Sequence, residues 1–115
     1  MSSAEEIMAE HVAAFNAGDA ERVLAGFTED ATWVTGDYTV PAGELRAFFE
    51  GAMRSLTPQL TVTRVIDGGN AVAAELTEKW TYGGTAKTAA LVAVFDLSGE
   101  RIHRAKIYRE GSADA

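Results

Sequence analysis

The spacing of hydrophobic residues along this chain changes at Pro58. Before Pro58, apolar side chains recur at the three- and four-residue intervals of an amphipathic helix, at Leu45, Phe48, Phe49, Ala52, Met53 and Leu56. After Pro58, apolar and polar residues alternate, which is typical of half-buried strands. The alternating segments are 60–66, 71–82, 86–97 and 101–109, with a glycine-containing turn between each pair. The second half of the chain is therefore predicted to be a four-stranded antiparallel meander.

The first half of the chain carries signals for helices. Ser3 and Glu6 have the spacing of a capping box, and Gly18 and Asp19 are suited to end one helix and to cap the next. The predicted elements are a helix over about 4–17, a short helix after Asp19, a strand over 31–35, a loop over 36–43 and a helix over 45–56.

Helices that precede a long meander indicate an α+β fold. We expect three N-terminal helices to pack on one face of a strongly curved antiparallel sheet. The segments 71–82 and 86–97 are about twice the length of an average strand, and long strands generally bend. The sheet is therefore expected to form a cone with an interior pocket.

Length and charge limit the classes of function. A chain of 115 residues corresponds to one domain, predicted over 1–110, with a flexible tail over 111–115. The net charge of −7 argues against nucleic acid and anionic membranes as partners, because both are bound by clustered Lys and Arg. The sequence has no cysteine, no secretory signal pattern and no apolar run long enough to cross a membrane. A cytoplasmic location is expected.

One alternating row contains a carboxylate. In the segment 71–82, one side carries Val72, Ala74, Leu76, Glu78, Trp80 and Tyr82. If this row faces the core, an ionised Glu78 would cost several kcal/mol unless it were paired, so it needs a partner or a raised pKa.

The order of the elements resembles the nuclear transport factor 2-like superfamily, and in particular its SnoaL-like members. The resemblance covers nearly the whole chain and rests on 15–19, 27–33, 43–49, 95–102 and Tyr108. It implies a cone-shaped α+β barrel with a hydrophobic pocket. Relatives in the superfamily include polyketide cyclases, ketosteroid isomerases and limonene epoxide hydrolases, so the resemblance implies a fold rather than one reaction.

The resemblance argues against the ketosteroid isomerase mechanism, which needs a carboxylate base, a tyrosine and a protonated aspartic acid. Aligned with that family, His11 stands at the tyrosine position and Thr35 at the position of the base. The second oxyanion donor falls at Leu91 or Ala93, and both are apolar.

The same alignment turns Glu78 toward the pocket, with His11 on a helix that lines it. A Glu78–His11 pair would orient the imidazole for acid–base catalysis. Three alternatives stay open: the two side chains only satisfy each other, Glu78 bonds Arg109 instead, or a bulge turns Glu78 outward.

Further residues are candidates for binding a ligand. Trp33, Trp80, Tyr82 and Leu91 are candidate walls of the pocket, although aromatic residues at strand spacing are often core. Asp37 and Tyr38 lie on the loop after the first predicted strand and are rim candidates. On the last strand, the resemblance turns His103, Ala105, Ile107 and Arg109 inward, where Arg109 could hold an anion or neutralise Glu78.

No metal or cofactor is predicted. His11 and His103 lie on distant elements without ligand spacing, and the glycine pairs fall in hairpins rather than in a phosphate loop.

The sequence therefore predicts cofactor-independent acid–base chemistry, of the isomerase, cyclase, dehydratase or hydrolase type, on a small hydrophobic molecule. The alternative is a non-catalytic ligand-binding or protein-interaction domain of the same fold. The alanines and threonines on the outer side of 71–82, together with the habit of the superfamily, predict a homodimer.

Overall fold

The computed structural model describes residues 3–110, which form three α-helices and a six-stranded sheet. The helices are α1 (Ala4–Asn16), α2 (Ala20–Ala25) and α3 (Leu45–Leu56). The strands are β1 (Phe27–Thr35), β2 (Tyr38–Val40), β3 (Gln59–Asp67), β4 (Ala71–Tyr82), β5 (Thr85–Ser98) and β6 (Arg101–Arg109). The predicted α+β arrangement of three helices on a curved sheet is confirmed. The predicted tail at 111–115 lies outside the described residues.

The strand order in the sheet is β2-β1-β6-β5-β4-β3. Strands β3 to β6 form the predicted antiparallel meander. The prediction of a purely antiparallel sheet is wrong, because β1 pairs with β6 in parallel. A parallel pair needs a long connection, and here α3 and the meander provide it. The prediction of a barrel is also wrong, because the sheet is open, with β2 and β3 at its edges.

The start of α1 is fixed by the predicted capping box. The Ser3 hydroxyl accepts a hydrogen bond from the Glu6 backbone N–H at 3.1 Å, and the Glu6 carboxylate accepts one from the Ser3 N–H at 2.9 Å. The Asp19 carboxylate caps α2 in a similar way, through the Arg22 N–H. These local bonds satisfy backbone donors that the helices cannot satisfy themselves.

The predicted loop at 36–43 contains a short hairpin. Thr35 pairs with Tyr38 across a two-residue turn, in which Gly36 has φ of +57°. This left-handed conformation suits glycine, and it allows β2 to pair with β1. The hairpin places Asp37 at an exposed turn.

The core lies between the helices and one face of the sheet. Phe49 of α3 is fully buried at its centre, with the rings of Phe15, Phe27, Trp33 and Phe48 at 5.1–6.2 Å. This aromatic cluster fixes α3 over β1 and so forms one wall of the site described below.

Within residues 3–110, no helix has the length and hydrophobicity needed to cross a membrane.

Candidate functional site

A space of about 220 Å³, which we call the hollow, lies between the helices and the sheet. Its walls are mostly apolar and include Phe48 of α3, Trp80 of β4 and Leu91 of β5. The polar side chains that line it are His11, Thr35, Glu78 and Arg109. An apolar concavity lined by a few polar groups is typical of a site that binds a small molecule.

Glu78 reaches the hollow because β4 alternates regularly. Leu76, Glu78 and Trp80 share its buried face, and Glu78 is only 8% exposed. Burial raises the pKa of the Glu78 carboxyl above its usual 4.5, and the nearby Arg109 guanidinium opposes that rise. The carboxyl therefore titrates closer to neutral pH than an exposed glutamate does.

Arg109 is the ionic partner of Glu78. The distance from Arg109 Nη2 to Glu78 Oε1 is 2.6 Å, and both side chains are largely buried. The sheet register explains the contact: Arg109 on β6 lies opposite Leu91 on β5, and Leu91 lies opposite Leu76, which is two residues from Glu78. The guanidinium also lies 5.8 Å from the centre of the Trp80 ring. The two partners that the sequence offered for Glu78 were His11 and Arg109, and the structure pairs it with Arg109.

His11 lies in an aromatic environment on α1. It is 7% exposed, and the rings of Phe15, Phe27, Trp33 and Phe95 surround it at 5.2–6.2 Å. Burial lowers the pKa of His11 from 6.5 to about 4, so the imidazole is neutral at pH 7. Within residues 3–110, its Nδ1 has no hydrogen-bond partner.

His11 and Glu78 lie at different positions along the sheet. The ring nearest to His11 is that of Phe95, which lies opposite Val72 on β4. Glu78 is six residues further along β4, which corresponds to about 20 Å of strand. The two side chains therefore line different parts of the same hollow and do not bond each other.

The sequence match identifies the family. Residues 8–105 match the SnoaL-like domain. The chain belongs to the SnoaL-like family. Among curated proteins, none matches this sequence.

Solved structures share the fold of this SnoaL-like chain. A protein with a ketosteroid isomerase-like fold from Catenulispora acidiphila, in complex with trimethylamine, is 18% identical with a TM-score of 0.86, over 97% of this chain and 91% of that one. A putative polyketide cyclase from Xanthomonas campestris is 24% identical with a TM-score of 0.79, over 91% and 88%. An LEH-like epoxide hydrolase of M. tuberculosis is 16% identical with a TM-score of 0.81, over 90% of this chain and 80% of that one. At these identities the likeness shows the fold.

The candidate ligand-binding residues of the SnoaL-like chain divide into two groups. Trp33, Trp80, Leu91 and Arg109 line the hollow. The other three are exposed and are not among the lining residues: Asp37, Tyr38 (54% exposed) and Tyr82 (45% exposed). Tyr82 is the last residue of β4, and Asp37 and Tyr38 belong to the β1–β2 hairpin.

The expectation that His103 points inward is wrong. The pairing of β5 with β6 shifts between Asp96 and Leu97, so that Leu97 pairs with Ile102 but Asp96 pairs with Arg104. This bulge puts both Ile102 and Ala105 on the buried face and leaves His103 exposed, 3.9 Å from Asp30.

Part of the apolar stripe of α3 lines the hollow. Its lining residues are Phe48, Ala52 and Leu56, followed by Pro58 and Leu60. Periodicity identified the stripe but could not separate residues that fill the core from residues that border a space.

Proposed function

We propose that this SnoaL-like protein binds a small, mainly hydrophobic molecule in the hollow and transfers protons to or from it with Glu78, without a cofactor. The observation that carries the proposal is an ionisable carboxyl group, buried among apolar residues, on the wall of a space large enough for a ligand. Such an arrangement is a recognised mark of functional sites.

The chemistry follows from the environment of Glu78. A general base or acid works best when its pKa lies near the working pH, and burial moves the pKa of Glu78 in that direction. Arg109 favours the ionised form of this carboxyl and can stabilise negative charge that develops on a substrate oxygen. Neutral His11, further along the hollow, serves as a hydrogen-bonding group rather than as a charge.

The size of the hollow limits the substrate. An apolar cavity of about 150 Å³ holds benzene, so about 220 Å³ matches the buried part of a one-ring molecule with a short substituent. Isomerisation, cyclisation, dehydration and hydrolysis all need the proton transfer proposed for Glu78. Two of the similar structures are named as a putative polyketide cyclase and an epoxide hydrolase, and cyclisation and hydrolysis are among these reactions.

Proton exchange on a simple ketone tests the proposal without knowledge of the natural substrate. Acetophenone is incubated with the protein in D₂O, and loss of the methyl proton signal is followed by NMR. Glu78 would remove a proton from the methyl carbon, and the enolate would take up a deuteron from the exchanged carboxyl group. The wild type should catalyse this exchange about 100-fold faster than Glu78→Gln, since general-base catalysis contributes factors of that order.

Glu75→Gln is the matched control for this experiment. Glu75 lies on the other face of β4 and is also ion-paired, to Arg64 at 2.7 Å, but its side chain is 43% exposed. The control should exchange at the wild-type rate. Equal rates for wild type and Glu78→Gln, with acetophenone shown to bind, would refute catalysis by Glu78.

A second candidate is a ligand-binding protein without catalysis. The 2.6 Å contact between Glu78 and Arg109 favours it, because a carboxylate held by a guanidinium is a weaker base than a free one of the same burial. Ligand-dependent thermal stabilisation without catalysed exchange would support this second candidate.

A homodimer and a cytoplasmic location stay predictions. The outer face of β4 and β5 carries half-buried residues such as Ala73, Thr77 and Val92, which suit packing against a second sheet. The mass of one chain is 12.2 kDa, and size-exclusion chromatography with light scattering should give about twice that value. A particle with the mass of a single chain would refute the dimer.

A further inference from the structure

The charges around the hollow balance each other. Among residues 3–110, Glu78 and Arg109 are the two formally charged side chains that line it, and they are in direct contact. His11, among four aromatic rings, adds no charge at neutral pH. The wall therefore presents one negative and one positive group with a net charge of zero.

The ion pair leaves hydrogen-bonding capacity unused. Glu78 Oε1 and Arg109 Nε are both enclosed, and neither has a hydrogen-bond partner within residues 3–110. The 2.6 Å contact between Arg109 Nη2 and Glu78 Oε1 is short but is not aligned as a hydrogen bond. Buried polar atoms without partners are costly, so a ligand that supplies partners to this carboxylate and guanidinium, after a small rotation of the side chains at the wall of the hollow, gains affinity. A carboxylate oxygen accepts a hydrogen bond and a guanidinium nitrogen donates one.

We propose that the hollow selects uncharged hydroxyketones, bound with the hydroxyl group donating to Glu78 and the carbonyl oxygen accepting from Arg109. The ring or alkyl body of the molecule would lie against the apolar walls, with Trp80 beside the polar end. The inference rests on the proposed function for the place of binding, and it does not depend on catalysis.

Other ligand classes fit the hollow less well. A carboxylate would bring a second negative charge to Glu78, and an ammonium would bring a second positive charge to Arg109, each in an environment where charges are poorly screened. A hydrocarbon would supply no hydrogen bond to either polar group. An uncharged molecule with adjacent donor and acceptor keeps the ion pair and satisfies both sides.

A set of one-ring probes tests the selection on the wild-type protein. The probes are 2-hydroxyacetophenone, acetophenone, ethylbenzene, benzoate and benzylamine, and binding is measured by isothermal titration calorimetry near pH 7. We expect 2-hydroxyacetophenone to bind about tenfold more tightly than acetophenone, because one hydrogen bond to a charged group is gained. The other three probes should bind more weakly than acetophenone.

Two variants change the charge of the wall in opposite directions. In Glu78→Gln the charge of Arg109 loses its partner, so benzoate should bind about tenfold more tightly than to the wild type. In Arg109→Gln the carboxylate loses its partner, so benzylamine should gain instead. Glu75→Gln makes the same charge change on the outer face of β4 and should alter neither affinity. Circular dichroism and thermal unfolding establish that each variant is folded.

The outcomes separate this inference from the proposed function. Ethylbenzene bound as tightly as 2-hydroxyacetophenone would overturn the inference and leave the hollow as a ligand site. Benzoate or benzylamine as the tightest wild-type probe would overturn it too. Binding of no probe would overturn both proposals. The expected ranking without catalysed proton exchange would support the inference and refute only catalysis by Glu78.

Discussion

Acid should destabilise the folded chain through His11. The imidazole is buried among four aromatic rings, and burial lowers its pKa from 6.5 to about 4. Between these values the unfolded chain binds a proton at this position and the folded chain does not. The contribution of neutral His11 to stability is therefore complete above pH 6.5 and is lost as the pH falls toward 4. This loss is worth about 3 kcal/mol, since each pKa unit corresponds to about 1.4 kcal/mol.

Urea unfolding at several pH values measures this loss. The free energy of unfolding is compared for wild type and His11→Phe at about pH 7.5 and about pH 4.5, so that carboxyl groups common to both proteins cancel. Most of the 3 kcal/mol should appear as a fall in the stability of the wild type relative to His11→Phe. His103→Phe is the matched control, because the side chain of His103 is 53% exposed and faces Asp30 on the surface. Its difference from wild type should not show this fall.

Two results would refute the reasoning. A wild-type minus His11→Phe difference that stays constant with pH would mean that protonation of His11 is not linked to folding. An NMR titration of the His11 ring with a midpoint near 6.5 would mean that the ring is hydrated rather than enclosed.

Three further predictions concern single residues. Burial raises the pKa of Glu78, so the unfolded chain loses this proton at a lower pH than the folded chain does. From pH 4.5 upward, the stability of the wild type relative to Glu78→Gln should therefore fall in the same urea series, whereas the contribution of His11 rises with pH. A stability difference that does not change with pH would contradict this prediction. Asn16→Ala removes two hydrogen bonds to the Leu60 backbone, at 2.6 and 2.9 Å, and should cost about 2 kcal/mol in urea unfolding; a cost near zero would mean that these bonds do not hold α1 to β3. Phe49→Ala empties the centre of the aromatic cluster and should cost about 3–5 kcal/mol; a loss under 1 kcal/mol would mean that the cluster re-forms around the gap.

Local signals made the helices and the meander predictable. The bounds of β4 match the alternating segment 71–82, and the capping box at Ser3 marks the start of α1. Each of these signals lies within the element that it specifies. The parallel pairing of β1 with β6 has no such signal, because it joins segments about 70 residues apart and the alternation of a strand does not name its neighbour. Strand β2 is too short, at three residues, to show alternation at all.

The sequence predicted the candidate site only where regular alternation fixes the direction of a side chain. Alternation is enough to select the face of β4 that carries Glu78, because that strand pairs with β5 without a shift. On β6 the alternation is interrupted by the bulge, so the rule that works for Glu78 fails for His103. The partner of Glu78 depends on how far α1 lies along the sheet, and a sequence does not contain that distance.

Glu78 lies near the end of the buried row of β4, and this position favours a functional role. On the buried row of that strand, exposure is zero at Val72 and Ala74, stays below one tenth through Trp80 and rises to 45% at Tyr82. Glu78 therefore lies near the end of the covered part of the strand, where a carboxyl is desolvated enough to shift its pKa and close enough to the rim for Arg109 to reach it from β6. At Val72 the same side chain would lie opposite Phe95, in the part of the core that His11 already occupies as a neutral ring. A buried ion pair is weak evidence for stability, because desolvation offsets its attraction, so the placement of this pair beside a ligand-sized space favours a role in binding or proton transfer over a role in folding.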